Sequence, residues 1–392
     1  MITIIKGATV YLPESVGVKD VVLLAGKIAS VEEAADISWK NGGIQIIDGT
    51  DYLLTPGFVD PHVHILGGGG EGGCHTRAPE VRLSECIKAG STTVVGLLGT
   101  DGYTRDMVGL LGKAKGLEEE GISTFIFSGC YHIPSVTLTG DIIHDLIAVD
   151  KVLGPGEVAI SDHRSSQPSF DELRRLVADA RVGGMISGKV GITHFHLGDG
   201  ESKLDPLFRI LDETEIPITQ MYPTHVSRNP KLFLEAIRFA KLGGPIDMTP
   251  TSNPKLWEQL YGEVRVSKCF KQCLDAGVSS DLVTFSSDGH GSQPIFDENM
   301  NYTGMEVAAL DTPYLEVVSC VRELGIPFEI ALKTITSNPA RILKLKGKGR
   351  IEAGYDADLC LIHKDSLELT GVIADGMILM KDKEILVKGT FE

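Results

Sequence analysis

The chain has 392 residues, enough for one large α/β barrel plus a smaller unit, or for two to three domains. Its formal net charge of −16 argues against a nucleic-acid partner or an anionic membrane surface, and no apolar run approaches the ~18–20 residues of a membrane span. Seven cysteines without a Cys-x-x-Cys pair, and a start that lacks a signal-peptide pattern, read as reduced thiols in a cytoplasmic protein rather than as a disulfide framework or a zinc knuckle.

Residues 1–55 hold short β-branched runs at 21–24, 27–31 and 44–47, broken by Gly26 and ended by Asp48-Gly49. The other end repeats the pattern, with strand-like runs at 357–362, 377–380 and 384–387 between Gly and Asp turns. Two β-rich ends around a different middle predict one small β-sandwich domain built from residues 1–55 plus 346–392.

Residues 56–345 alternate apolar strands with amphipathic helical stretches. The predicted strands are 57–66, 92–99, 124–129, 158–163, 192–198, 216–224, 246–250 and 282–288, with helices such as 171–182, 232–242 and 268–276 between them. Eight β/α alternations over this length predict a (β/α)8 TIM-type barrel rather than an open sheet. In such barrels the C-terminal strand ends carry the chemistry.

Those ends are polar here. In chain order they offer His62 and His64, Thr100 and Asp101, Tyr131 and His132, Asp162-His163-Arg164, His194 and His196, His225 and Arg228, and Asp288. His62 and His64 lie i, i+2 at the end of a strand, so both rings point to one side and make half a metal site. Four glycines, Gly67 to Gly70, follow them and permit a tight turn close to a ligand. A metal that activates water needs neutral imidazoles, a carboxylate and an open position. His62, His64, His196, His225 and Asp288 can supply these. His194 shares the strand parity of His196, which lies nearer the strand end and is taken as the ligand. His132, His163 and His290 read as supporting or loop histidines, and His75 and His144 as surface groups. Cys74 reads as a small residue in a glycine-rich loop and Lys189 as a solvated cation.

Gly57-Phe58-Val59-Asp60-Pro61-His62-Val63-His64 resembles the first-strand motif of the amidohydrolase superfamily, and the tail from Gly349 to Leu359 resembles the segment that re-enters that superfamily's β-sandwich. A closer resemblance, to the isoaspartyl (β-aspartyl) dipeptidase family, rests on five further segments. They are Gly67 to Glu71, Val95 to Asp101, Ile160 to Ser165, Pro223 to Asn229 and Ser286 to Pro294, in family order over nearly the whole chain. The resemblance implies a binuclear zinc hydrolase, with two Zn²⁺ per chain, that cleaves dipeptides joined through the aspartate side-chain carboxyl. Carried over by motif, His62, His64 and Asp288 bind one metal, and His196 and His225 the other. Gly69, Glu71, Thr100, Tyr131, Arg164, Arg228 and Ser292 match substrate-contact positions. The family implies a cytoplasmic homo-oligomer, often octameric, with a small dipeptide substrate.

In that family's mechanism a hydroxide bridging the metals attacks the side-chain amide carbonyl. Asp288 takes its proton and returns it to the leaving amine, and Tyr131 helps hold the oxyanion. One departure stands out. The family pattern has a carboxylated lysine bridging the metals seven residues before the arginine of Asp-His-Arg, and the residue there is Glu157. Glutamate offers the same two-oxygen donor set, but is shorter by roughly 4 Å of reach at ordinary bond lengths. Glu157 as the bridge therefore requires the strand or the metal pair to shift inward. The alternatives are a surface Glu157 with one metal, or a different amidohydrolase acting on cyclic amides or N-acyl amino acids.

Overall fold

The computed structural model describes residues 2–35, 43–297 and 301–392. Strands from both ends of the chain form one nine-stranded sheet. Its order runs Glu384–Ile385, Met377–Lys381, Leu369–Ala374, Leu359–His363, Tyr52–Pro56, Ile2–Tyr11, Ser15–Leu24 and Lys27–Glu32, with Ile44–Asp48 parallel to Ile2–Tyr11. The join between the two ends is the antiparallel pair of Tyr52–Pro56 with Leu359–His363, in register Thr55 with Cys360. Alternate residues of these strands (Ile5, Val10, Val21, Leu23, Leu54, Leu359, Ile373) bury a core of their own.

The middle of the chain closes into a parallel barrel. Its strands are Phe58–Val63, Ser91–Gly96, Ser123–Ser128, then a fourth in two pieces, Val152–Pro155 and Val158–Ile160. Thr193–Leu197, Met221–Thr224, Ile246–Met248 and Val283–Phe285 complete it. The two pieces of the fourth strand divide its partners: Val152–Pro155 pairs with the third strand and Val158–Ile160 with the fifth. Val226 N–H to Asp247 O (3.3 Å) links the sixth strand's end to the seventh. The ring closes where Val63 bridges Gly289 and His64 N–H donates to Gly289 O at 2.9 Å.

Four elements differ from the sequence expectation. The Gly154-Pro155-Gly156 stretch reads as a turn, yet Gly154 lies inside the fourth strand. A Cβ there would come within 1.8 Å of the Ile192 carbonyl oxygen, so glycine marks close strand packing. The helix expected at 171–182 spans Phe170–Ser187 and runs through Gly183-Gly184, whose missing Cβ atoms leave room for Leu146 and Gly191. The sixth strand starts only at Met221, because Ile218–Gln220 forms a 3₁₀ turn after Pro217. After the eighth strand comes an unexpected antiparallel hairpin, Ser292–Phe296 with Tyr302–Val307.

Local sequence sets the loops at the barrel mouth. Asn229 caps the helix Pro230–Lys241, accepting from Leu232 N–H at 2.9 Å, with Pro230 at the first helical position. The cap ends the loop that carries His225 and Arg228. Ser169 and Glu172 form a reciprocal capping box at the start of Phe170–Ser187, closing the loop that carries Asp162 and Arg164. Among the described residues no helix is long and apolar enough to cross a membrane.

Candidate active site

His62 and His64 enter the barrel mouth from the end of the first strand, and both are buried. Asp288 comes from the loop after the eighth strand. Its Oδ1 lies 3.0 Å from His64 Nε2 and 3.3 Å from His62 Nε2. Glu157 sits where the fourth strand breaks and is 1 % exposed, so it is no surface residue. Its carboxylate reaches His196 Nδ1 (3.1 Å), His62 Nε2 (3.6 Å), His225 Nε2 (3.6 Å) and His64 Nε2 (3.7 Å). His225 and Asp288 have left-handed backbones, φ 59° and 50°. For residues with a Cβ this costs on the order of 1–3 kcal/mol each, and such strain concentrates at functional sites.

The donor set fits a metal. His62 Nε2, His64 Nδ1 and Asp288 Oδ1 are buried without an aligned hydrogen bond. Each such orphan costs roughly 1–3 kcal/mol. Two of them, His62 Nε2 and Asp288 Oδ1, face each other at 3.3 Å, the donor types a divalent cation takes from imidazole and carboxylate. Two sets of three ligand atoms lie within 4.8 Å of one another: His62, His64 and Asp288, and His62, Glu157 and His225. His196 falls outside both sets but touches Glu157.

Charge is arranged to keep the imidazoles neutral. Burial pushes His62 and His225 below the usual histidine range, and His196 down to about 3, where Arg228 and Arg164 add to the effect. Burial alone would raise Asp288, but His62 and His64 beside it outweigh burial and hold it well below the usual carboxylate range. Glu157 goes the other way, raised by burial and then by the Asp288 charge. Burial also raises the Tyr131 phenol, so its hydroxyl stays a donor. That hydroxyl lies 2.9 Å from His196 Nδ1.

A charged rim stands above this cluster. Arg164 donates Nη1–H to Glu71 Oε1 at 3.2 Å, and the Thr100 hydroxyl donates to the same oxygen at 2.8 Å. Asp162 binds Arg164 through both oxygens and receives His196 Nε2–H at 3.1 Å. Arg228 Nη1 lies 4.0 Å from Asp162 Oδ2. Gly69 has φ +75°, and a Cβ on it would strike the Ser292 side chain at 2.8 Å, so only glycine fits there. A cleft of about 100 Å³ opens beside His225 and Asp288, lined also by Arg228, Thr251, Trp257, Glu263, Ser292 and Gln293.

The amidohydrolase family model matches residues 53–385. Two solved structures of β-aspartyl dipeptidase from Fervidobacterium islandicum AW-1 are similar over nearly the whole chain. One, in complex with the β-Asp-Leu dipeptide, is 48 % identical with a TM-score of 0.90, covering 98 % of this chain and 97 % of that one. The other is 46 % identical with a TM-score of 0.89, covering 98 % of each. A curated deacetylase of Brucella anthropi is 23 % identical, covering 90 % of this chain and 82 % of its own. The chain belongs to the amidohydrolase family, in its β-aspartyl dipeptidase branch.

In this amidohydrolase the remaining histidines lie outside the cluster. His132 bridges Tyr103 OH (2.7 Å) and Arg164 O (3.0 Å). His290 faces Pro79 O at 2.8 Å and Glu85 at 3.3 Å. His75, His144 and His163 are exposed. Several residues with clear site contacts were missed as site residues. Asp162 was one polar strand end among many. His194 is not displaced by His196 but lies deeper, its Nε2 2.8 Å from His62 Nδ1. Thr249 reaches His225 Nδ1 at 2.7 Å from the seventh strand's end. Asp60 accepts from His62 N–H and Ser287 N–H, both at 3.2 Å, tying the first strand to the eighth. Asp247 accepts hydroxyls of Thr224, Thr284 and Ser286 at 2.5 Å each. The available signal was the run of polar residues at inward parity on otherwise apolar strands.

Proposed function

We infer that this chain hydrolyses isoaspartyl dipeptides, cutting the amide made through the aspartate side-chain carboxyl. The observation that carries the reading is the charged rim. Two guanidinium groups, Arg164 and Arg228, and two carboxylates, Glu71 and an Asp162 committed to Arg164 through both oxygens, stand over a buried histidine–carboxylate cluster. An isoaspartyl dipeptide presents the complementary set, one free α-ammonium and two carboxylates. The similarity to β-aspartyl dipeptidases at 46–48 % identity supports the same substrate class.

The roles follow from chemistry and position. Glu71 pairs with the α-ammonium. Arg228 holds one carboxylate, and Arg164, whose Nε and Nη2 are engaged by Asp162, offers Nη1 to the other. Thr100, Ser292 and the Gly69 backbone complete the cradle. Asp288, 3.0 Å from His64 Nε2, takes a proton as base and returns it to the leaving amine as acid. The Tyr131 hydroxyl, kept protonated by burial, donates to the oxyanion as it develops.

We assign two metals, zinc as the first choice: one held by His62, His64 and Asp288, the other by His196 and His225, with Glu157 shared between them. Bound there, they supply an acidified water and polarise the scissile carbonyl. The same reading includes a cytoplasmic homo-oligomer, checked by size-exclusion chromatography with light scattering.

The deciding experiment is a substrate panel of β-Asp-Leu, α-Asp-Leu, dihydroorotate and an N-acetyl amino acid. Cleavage of β-Asp-Leu alone is expected. Preference for dihydroorotate or the N-acetyl amino acid overturns the reading in favour of another amidohydrolase activity.

A further inference from the structure

We propose that His194 is a positioning residue that locks His62 into the one tautomer whose Nε2 can bind a metal. The inference rests on the metal-dependent reading above and adds the residue that orients one of its histidine ligands.

The argument starts at a backbone carbonyl. His194 Nδ1 lies 3.0 Å from Tyr222 O, and a carbonyl oxygen can only accept, so His194 carries its proton on Nδ1. A neutral imidazole has one N–H, which leaves His194 Nε2 with a lone pair. That lone pair lies 2.8 Å from His62 Nδ1, so His62 Nδ1 must donate to it. His62 then has no proton left for Nε2. This atom is buried without a hydrogen bond and faces Asp288 Oδ1 at 3.3 Å and Glu157 Oε2 at 3.6 Å. His62 is one of the three donors assigned to the first metal, so the wrong tautomer there would disable that site.

The His194 ring is itself fixed. It stacks on Phe127 with centroids 4.8 Å apart and planes 13° apart, and tilts against Tyr222 at 4.9 Å. Gly156 makes room for it, since a Cβ at 156 would lie 2.8 Å from His194 Cβ. Ligand histidines are usually oriented by a carboxylate, carbonyl or water on the second nitrogen. Here a second imidazole stands in that place and passes the orientation of a backbone carbonyl on to His62.

The test uses metal-free full-length protein, Zn²⁺ alone as the probe and a competing chromophoric chelator. His194→Gln keeps an acceptor for His62 and a donor for Tyr222 O, whereas His194→Met fills the space with neither. His194→Met is expected to weaken zinc binding about 10- to 100-fold, the usual effect of losing such a partner, and His194→Gln far less. Equal zinc affinity in wild type and His194→Met overturns the proposal. So does an equal loss in both variants, which would mean packing alone. If His194→Met does not fold, ¹⁵N-imidazole spectra of the metal-free wild type, assigned with His194→Gln, decide the matter. A His62 proton on Nδ1 is expected, and one on Nε2 overturns the lock. A wild-type chain that binds no zinc would instead strike at the metal-dependent reading, which the spectra do not touch.

Discussion

Asp162 grips Arg164 with both carboxylate oxygens, Nε donating to Oδ1 at 3.0 Å and Nη2 to Oδ2 at 2.8 Å. The pair leaves Nη1 of Arg164 facing Glu71, so Asp162 sets the direction in which the rim guanidinium points. Its Oδ2 also receives His196 Nε2–H, which couples the rim to the buried cluster. Although burial opposes it, hydrogen bonds from His196 and Arg164 hold the Asp162 carboxyl far below the ordinary range.

Asp162→Asn should therefore loosen Arg164 without emptying the site. Breaking a fully buried pair costs about 3–5 kcal/mol, and an exposed pair below ~1 kcal/mol. Arg164 is partly exposed, so a tenfold or greater fall in kcat/KM for β-Asp-Leu is expected, with KM rising. A depressed carboxyl contributes stability above its unfolded pKa and loses it only as pH falls through the folded value. The Asp162 contribution should thus be flat from pH 9 to pH 5. Wild-type kcat/KM in Asp162→Asn would mean that Arg164 needs no orientation by Asp162 to serve the substrate.

Arg228→Met should lose far more kcat/KM than a change at the exposed Arg238, because it leaves a bound substrate carboxylate unpaired. Glu71→Gln should weaken use of a free α-amine and spare an N-blocked analogue. Steady-state kinetics with β-Asp-Leu and its N-acetyl form read both effects. An Arg228→Met enzyme that cleaves β-Asp-Leu at the wild-type rate would show that this guanidinium binds no substrate carboxylate.

What the sequence made legible was whatever lies in short runs at strand ends. His62 and His64 were readable because period-two alternation puts both rings on one face, and His225, Arg228 and Asp288 because each follows a short apolar strand. His194 was not, because its parity is that of His196 and nearness to the strand end decided between them, whereas in a barrel both positions face inward at different depths. The first piece of the fourth strand, Val152–Pro155, was hidden because Gly and Pro read as a turn when the close approach of Ile192 cannot be seen. Thr249 sits at the end of the predicted strand 246–250, where a lone hydroxyl marks no site, and Glu263 comes from a loop that no periodicity marks.

Asp288→Asn should keep the fold and bind substrate while kcat falls by roughly 10²–10⁴, the range of a lost acid–base group. The neighbouring His290 is no substitute base, because its ring is engaged by Pro79 O and Glu85. Near wild-type kcat in Asp288→Asn would mean that another group carries the proton.

Glu157→Gln keeps size and removes the negative charge placed between the histidines. Two divalent ions would then repel with less screening between them. Metal content per chain should fall toward one and activity should collapse, as elemental analysis and kinetics can show. The wild type should need no bicarbonate for reactivation. Lys189 is no carboxylated substitute, since it donates to the Val149 carbonyl at 2.5 Å, before the start of the fifth strand and so away from the C-terminal barrel mouth. Full metal loading in Glu157→Gln would return Glu157 to a purely structural role.

Glu263 gives a pH signature independent of the metal ligands. It lines the cleft beside Arg228, and burial pushes its carboxyl from 4.5 up to about 8, with Asp199 adding to the rise and Arg228 opposing it. Between those values the folded chain holds a proton that the unfolded chain has released. Stability from this group therefore falls as pH rises from 5 to 8, then levels off. Glu263→Gln removes the dependence, so its Tm advantage over wild type should grow across pH 5–8 and flatten above. Thermal melts in matched buffers measure it. A Tm difference that is the same at pH 5 and pH 8 would mean that Glu263 ionises in the folded chain as it does in the unfolded one.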